Sequence, residues 1–212
     1  MIDHLVLATP NVRATAERVA HDWGIHLTPG GSHEGAGTRN ELTGLGGRTY
    51  LEVVGPDDDQ PEPGGHPTAG PRPFGIDDLT EARLVAWCVR PARRLDDVAT
   101  AVAAFGVDLG GVAAMSRRRP DGVLLEWRLT FPLLGEPHRG TLPFLIDWAD
   151  SPHPATTISH ECTLVSLRVT HPNPQLVRAV IAEVGDLWLV EVSEGCASLA
   201  ATVRTPNGVV TL

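Results

Sequence analysis

The same order of elements, strand–helix–strand–strand–strand, is predicted three times along this chain of 212 residues, and this repetition limits the possible folds more than any other feature. The three units begin with short apolar strands at Ile2–Pro10, Leu84–Val89 and Thr163–Val169. Each strand is followed by apolar residues at helical spacing that end at a glycine. Because each helix covers one face of a small sheet, the other face needs a partner or forms a cleft. We predict an α+β protein of tandem βαβββ modules.

A change of composition separates the first two units. Residues 57–82 begin with Asp57–Asp59 and continue with many prolines and glycines, without apolar periodicity. This pattern predicts a linker or long surface loop. The predicted domains are module 1 at 1–56, the linker at 57–82, module 2 at 83–155 and a C-terminal βαβββ-like module at 161–212. Within module 1, Ile25–Leu27 is predicted as a short strand and Thr28–Gly37 as a loop.

Charge and composition exclude several classes of partner. The net charge of −9 argues against nucleic acid, because phosphate binding needs a clustered basic surface. The one basic run, Arg117–Arg119, precedes a Pro-Asp-Gly turn and is interpreted as a solvated loop. No apolar run approaches the length of a membrane span. Three widely spaced cysteines suggest free thiols in a reducing cytoplasm.

His4 and Glu52 are the candidate catalytic residues. On the first strand His4 shares a face with Ile2 and Val6, and on the fourth strand Glu52 lies between apolar neighbours. A histidine and a glutamate among apolar residues on two strands fit the wall of a pocket. Alone, His4 could be a structural histidine and Glu52 a solvated carboxylate. Together they could bind a metal or act as an acid/base dyad.

Further residues are candidates for ligand contact: Asn40, Thr38, His33, Trp87 and Asp147. Asn40 shares a strand face with Thr38 and could bond a ligand carbonyl or cap the turn at Gly37. His33 lies in a glycine-rich segment that is either a mobile lid or an ordinary connector. Trp87 and Trp148 could line the pocket or belong to the core, and Trp127 is interpreted as core.

The chain resembles the vicinal oxygen chelate superfamily, and more closely its glyoxalase-like domain family of bacterial proteins. The matching stretches are IDHLVLATPNV, HEGAGTRNELTGLGGRTYLEVVGP and GTLPFLIDWADSPHP, within residues 1–155. The resemblance implies that two modules pair their curved mixed sheets into a cup, with the helices on one face. It also implies a divalent metal (Zn, Ni, Mn or Fe) held by ligands on the first and fourth strands of each module. His4 and Glu52 match the ligands of module 1.

Module 2 departs from the family pattern. Its first strand offers Ala86 or Trp87, and its fourth offers Ile146, or Asp147 if the register slips by one residue. The ligand set is therefore incomplete, because catalytic metals usually have three protein ligands. Loop histidines that could complete it are His33, His66, His138, His153 and His160.

Three functions follow as alternatives. The first is a metal-dependent lyase, isomerase or dioxygenase of the glyoxalase type, acting on a small oxygenated molecule. The second is a metal-free protein that binds or sequesters a small molecule, like the bleomycin-resistance members. The third is an assembly role, in which the third module buries its open face in a homodimer.

Overall fold

The computed structural model describes residues 1–60, 71–185 and 187–212. In these residues the helices are α1 (Val12–Trp23), α2 (Leu95–Ala103) and α3 (Pro174–Val184), with short 3-10 helices at Pro73–Asp78 and Pro154–Thr156. The strands of the first half are β1 (Ile2–Ala8), β2 (Thr28–His33), β3 (Thr38–Gly44) and β4 (Tyr50–Pro56). Those of the second half are β5 (Arg83–Val89), β6 (Ala113–Arg118), β7 (Leu124–Leu129) and β8 (Phe144–Asp147). The C-terminal strands are β9 (Thr163–His171), β10 (Val190–Glu194), β11 (Ser198–Thr205) and β12 (Gly208–Thr211).

Strands β1 to β8 close into one barrel in the order β1-β4-β3-β2-β6-β7-β8-β5. Each half has the same pairing, with its first strand parallel to its fourth and its other strands antiparallel. The halves join through the antiparallel pairs β1/β5 and β2/β6. The predicted α+β fold of βαβββ modules with curved mixed sheets is confirmed. Closure leaves no free edge in the barrel.

The C-terminal unit has the same order of elements but a different strand pairing. Its sheet has the order β10-β9-β11-β12, so the strand that follows α3 pairs directly with β9. In each barrel half the strand after the helix lies instead at the far end of the sheet. A strand–helix–strand crossover gives parallel neighbours, and the β11–β12 hairpin then pairs on the other side of β9. The sheet therefore stays open at β10 and β12.

Strand alternation sorts the apolar side chains into two cores. The inner core fills the barrel and includes Val6, Val54, Ala86 and Ile146. The outer core lies between the barrel and the helices; it includes Leu5, Leu51 and Trp87 together with Leu167 and Val203 of the C-terminal sheet. Because one core joins both parts of the protein, the barrel and the C-terminal unit support each other.

Two segments differ from the sequence prediction. Residues Thr28–His33 form β2 rather than a loop, and Ile25–Leu27 is not a strand. Barrel closure gives β2 hydrogen-bonding neighbours on both sides, β3 and β6, which outweigh the low strand propensity of its glycines. Likewise Arg117 is not in a solvated loop. It lies on β6 with 3% exposure and faces the barrel interior.

Only part of the predicted linker lies in the described residues. Residues 61–70, which include His66, fall outside them. The remainder contains the 3-10 helix at Pro73–Asp78, and Ile76 of that helix is buried in the inner core. This part of the segment therefore packs against the barrel.

None of the helices in the described residues combines the length and apolar character needed to cross a membrane.

Candidate functional site

A narrow cavity inside the barrel brings together most of the candidate residues. Its volume, including the open space at its mouth, is about 560 Å³. Polar side chains from the first half line one wall: His4, His33, Thr38, Asn40, Tyr50 and Glu52. The second half contributes Arg117 and mainly aromatic or apolar side chains: Met115, Trp127, Leu129, Phe131, Phe144, Ile146 and Trp148.

A β-bulge at the start of β1 directs Asp3 towards His4. Ile2 pairs with Val89 and His4 pairs with Cys88, so Asp3 is the extra residue between two ladder positions. The Asp3 carboxylate accepts a hydrogen bond from Nδ1 of His4 at 2.8 Å. The same bulge moves Ile2 to the outer core, so the predicted shared face of Ile2 and His4 is wrong.

Asp3 is buried and accepts two further hydrogen bonds, from Nε2 of His153 at 3.0 Å and Nε1 of Trp148 at 3.2 Å. Burial raises the pKa of Asp3, but the hydrogen bonds from His153 and His4 outweigh it and hold the pKa well below its ordinary value. Asp3 is therefore ionised. Nδ1 of His153 accepts from the backbone N–H of Ala155, so His153 carries its proton on Nε2.

The Asp3 bond fixes the ring of His4. Since a carboxylate only accepts, Nδ1 of His4 carries a proton and Nε2 faces the cavity. Nε2 lies 3.7 Å from Oε2 of Glu52, and the ring stacks on Tyr50 with centroids 4.8 Å apart. A carboxylate behind a histidine is the arrangement that orients a general base or a metal ligand.

Glu52 is held from the other side by a relay. Nδ2 of Asn40 donates to Oε1 of Glu52 at 2.5 Å, and Nη1 of Arg117 donates to Oδ1 of Asn40 at 2.7 Å. Because a guanidinium can only donate, the amide oxygen of Asn40 must face Arg117 and its nitrogen must face Glu52. The relay thus links a cation on the second half to a carboxylate on the first.

His33 supports the same relay. Its Nε2 lies 3.2 Å from Nδ2 of Asn40 and its Nδ1 lies 2.9 Å from Oγ1 of Thr38. Burial lowers the pKa of His33 to about 4, although Glu52 acts in the opposite direction. His33 is therefore neutral at pH 7, which agrees with one ring nitrogen accepting from Asn40 and the other donating to Thr38.

Two of the candidate residues do not line the cavity. Trp87 pairs with Leu5 and lies in the outer core, where its indole N–H donates to the carbonyl of Thr141. Asp147 lies at the end of β8, and its carboxylate accepts from the backbone N–H of Ala149. Strand alternation explains both positions, since their neighbours Ala86 and Ile146 are the residues that face inward.

The residues present do not fit a divalent metal site. On the second half, the inward-facing residues of β5 and β8 include Ala86, Phe144 and Ile146, which have no donor atoms, and Cys88, whose thiol pKa is raised well above its ordinary value by burial. Within the described ranges, no group of three or more His, Cys, Asp or Glu side chains is arranged to hold a metal ion. Three protein ligands are usual for a catalytic ion. The predicted pair His4 and Glu52 remains two donors of an incomplete set.

The loop histidines have other partners. His153 contacts Asp3 behind His4 and does not line the cavity. His138 stacks on His171, and Nε2 of His160 lies 2.6 Å from the carbonyl oxygen of Ala155. Sequence reasoning missed Asp3, because strand alternation assigns it to the face away from His4. Only the adjacency of Asp3 and His4 in the chain could have suggested their contact.

Comparison with known proteins identifies the family. The model of a family described as "Glyoxalase-like domain" matches residues 2–185. No curated protein matches the chain. The crystal structure of a hypothetical protein from Staphylococcus aureus superposes with a TM-score of 0.65 at 14% identity, over 92% of this chain and 86% of that one.

Weaker similarity extends to methylmalonyl-CoA epimerases. A Streptomyces coelicolor variant in complex with 2-nitronate-propionyl-CoA has 21% identity and a TM-score of 0.43, over 73% of this chain and 98% of that one. The Mycobacterium tuberculosis protein has 15% identity and the same score, over 74% and 91%. These scores are too low to carry an argument about activity. The match over residues 2–185 shows that the chain belongs to the glyoxalase-like domain family.

Proposed function

We propose that the protein is an enzyme of the isomerase or lyase type that moves a proton on a small, largely apolar oxygenated molecule inside the barrel. The observation that supports this most directly is the 3.7 Å approach of His4 Nε2 to Glu52 Oε2 at the cavity wall. Two proton-accepting groups side by side in a narrow, mainly apolar space are suited to general acid–base catalysis.

Each residue of the network has a role in this proposal. Glu52 takes a proton from a carbon next to a carbonyl group, and this proton returns to another atom of the same molecule from Glu52 directly or after transfer to Nε2 of His4. Asp3 keeps His4 in one tautomer, while Asn40 aims the Glu52 carboxylate. His33 accepts from Asn40 and is itself held by its hydrogen bond to Thr38. The aromatic wall excludes water, which strengthens each electrostatic interaction in the cavity.

The test is deuterium exchange. A panel of small ketones, aldehydes and esters is incubated with the protein in D₂O, and loss of the hydrogens next to the carbonyl is followed by NMR. We expect exchange with the native protein after dialysis against a chelator, and a loss of about 100-fold or more in Glu52→Gln. Arg13→Gln, an exposed change far from the cavity, is the control. Equal rates for native protein and Glu52→Gln would contradict the proposal.

The second candidate is a metal-free binding protein of the bleomycin-resistance type. It is favoured by the apolar second half of the cavity, where Phe144, Ile146 and Trp148 face the polar wall. A binder would raise its melting temperature with small aromatic compounds but exchange no hydrogens.

The metal-dependent enzyme is separated from both by elemental analysis. Protein purified without an affinity tag is compared with His4→Ala and Glu52→Ala. Near-stoichiometric metal that both substitutions abolish would favour metal-dependent chemistry. Metal well below one equivalent in all three, even after incubation with Zn, Ni, Mn and Fe(II), agrees with the proposal. The homodimer and the cytoplasmic location remain predictions, and light scattering of the purified protein tests the first.

A further inference from the structure

Two N–H groups of the cavity side chains have no hydrogen-bond partner in the described structure. They are Nε of Arg117 and Nε1 of Trp127, whose side chains are 3% and 7% exposed. Both residues line the cavity. A buried donor without an acceptor costs about 1–3 kcal/mol, and such groups are rare in native proteins. Two of them in one cavity indicate an acceptor that comes from a ligand.

Their positions in the barrel bring them towards the same region. Met115 pairs with Trp127 and Arg117 pairs with Leu125, so Arg117 and Trp127 occupy diagonal positions on neighbouring strands. Diagonal neighbours on one face are close enough for long side chains to share a ligand. In the strand order of the barrel, β6 and β7 lie across from β1 and β4, which carry His4 and Glu52. A molecule between them can contact both walls.

The charges in the cavity indicate which kind of ligand oxygen would accept hydrogen bonds from Arg117 and Trp127. Arg117 is connected to Glu52 through the single amide of Asn40. While Glu52 is ionised, the two charges balance. A carboxylate ligand would add a second negative charge beside Glu52. A neutral carbonyl oxygen adds none, and it becomes negative only when Glu52 has taken up a proton.

We propose that Arg117 and Trp127 form an oxyanion site that binds the carbonyl oxygen of the substrate. This inference rests on the proposed proton transfer and names its substrate class: a small, flat, mainly apolar ketone, aldehyde or ester with a hydrogen on the adjacent carbon. When that C–H bond breaks, its proton goes to the Glu52 carboxylate and its electron pair moves onto the carbonyl oxygen, giving an enolate. The charge moves from Glu52 to the ligand while Arg117 stays positive. Returning the proton to another atom gives an isomer.

Arg117 would stabilise the enolate because its side chain is already in position before the reaction. Arg117 is already held by Asn40, so it needs little reorganisation when the enolate forms. Removing one such donor from an oxyanion site typically lowers the turnover rate by about 100-fold or more. The wall that lacks metal ligands would thus contribute to catalysis through N–H groups.

The test uses a matched pair of flat probes, 4-nitrophenol and 4-nitrotoluene. The phenolate of the first carries an enolate-like oxygen, and the second has nearly the same shape without it. Dissociation constants are measured by calorimetry at a pH at which the phenol is partly ionised, and absorbance reports the form that is bound. We expect the native protein to bind 4-nitrophenol about tenfold or more tightly than 4-nitrotoluene, with the phenol proton passed to Glu52, so that the bound phenolate lies beside a neutral Glu52 as the enolate does.

Four variants separate recognition from packing. Trp127→Phe removes one N–H and keeps a ring, and Arg117→Met removes the guanidinium. Each should weaken binding of 4-nitrophenolate about tenfold or more and leave 4-nitrotoluene within about twofold. Glu52→Gln should strengthen binding of the phenolate, because it removes a nearby negative charge. Trp188→Phe, at an 82% exposed position, should change neither.

Several results would overturn the inference. These are equal affinity of the native protein for both probes, no binding of 4-nitrophenolate, or equal losses for both probes in the Arg117 and Trp127 variants. The binding result is independent of turnover. If phenolate recognition holds and deuterium exchange fails, the proposed function falls and the oxyanion site stands. If exchange occurs at the native rate in Arg117→Met and Trp127→Phe, the oxyanion site falls and the proposed function stands.

Discussion

At the scale of single residues, the buried carboxylate of Asp3 is satisfied through contacts with different parts of the chain. Asp3 accepts hydrogen bonds from His4, His153 and Trp148, which lie far apart in sequence except for His4. His4 and Trp148 line the cavity, and His153 lies behind them. A buried carboxylate with several donors is strongly stabilised in its ionised form, so replacing it affects both stability and the orientation of His4.

We expect Asp3→Asn to lower the free energy of unfolding by about 3 kcal/mol, because its amide leaves buried donors without a charged acceptor. Urea unfolding at pH 7 measures this change. Asp22→Asn is a matched control. Asp22, like Asp3, contacts a histidine next to it in the chain, His21, but this pair lies on the exposed surface. The control should change stability by less than about 0.5 kcal/mol. Equal effects of both substitutions would contradict the importance of Asp3.

His33 gives the protein a specific pH dependence. Its pKa is about 4 in the folded protein, against 6.5 for an ordinary histidine. Between these values the unfolded chain binds the proton more readily, so the stability that neutral His33 contributes is complete above pH 6.5. It is lost as the pH falls towards 4, by roughly 3 kcal/mol in total.

The measurement is urea unfolding of native protein and His33→Gln between pH 4 and 7. We expect the variant to show a shallower loss of stability on acidification, whatever its offset at pH 7. Exposed His26→Gln is the control and should follow the native curve. Parallel curves for native protein and His33→Gln would show that His33 does not titrate as described.

At the scale of elements, β2 depends on a close approach that only glycine permits. A Cβ at Gly30 would lie 2.0 Å from Oδ1 of Asn40 and 2.2 Å from Nη1 of Arg117. The hydrogen bond between these two side chains therefore passes directly over the β2 backbone. This strand is the place where the two halves meet through β6, so its glycine serves both barrel closure and the relay to Glu52.

We expect Gly30→Ala to lower the free energy of unfolding by about 1–3 kcal/mol, because buried side chains must move. It should also weaken 4-nitrophenolate binding, since Arg117 is displaced. Gly111→Ala is the control: its Cβ would meet no atom within 4 Å, and the loss of chain entropy in the unfolded state makes it neutral or slightly stabilising. Unchanged binding and stability in Gly30→Ala would show that the contact is not required.

At the scale of the whole molecule, the outer core makes the barrel and the C-terminal unit one cooperative structure. Trp23 and Val102 of the barrel helices lie in the same core as Leu167, Val180 and Val203. The β11–β12 turn also contacts α1, where Nδ2 of Asn207 donates to the carbonyls of His21 and Asp22. Separate unfolding of either part would expose a large apolar surface.

We expect Leu167→Ala to lower the free energy of unfolding by about 2–5 kcal/mol through the cavity it leaves. Tryptophan fluorescence and circular dichroism should show one coincident transition that moves as a whole. Val165→Ala, on the exposed face of the same strand, is the control and should shift it little. If two unfolding transitions appear and Leu167→Ala shifts only one of them, the C-terminal unit folds independently.

Periodicity determined the elements of this fold. Helix α1 was predictable from its apolar stripe, from Asn11 at its N-terminus and from Gly24 at its C-terminus. Strands β1 and β4 were predictable from the alternation of their side chains. The inward direction of Glu52 and Asn40 follows from the same alternation. These features are local, since propensity and side-chain direction depend on residues near in sequence.

Tertiary structure alone decided the features that depend on distant contacts. Barrel closure made β2 a strand and buried Arg117, because each then has a neighbouring strand that local sequence cannot reveal. The bulge at Asp3 reversed the direction expected from alternation. The sequence by itself determined the modules, the family resemblance and the first wall of the cavity. The pairing of the halves decided the second wall, because which side chains face Glu52 depends on how strands far apart in the chain register against each other.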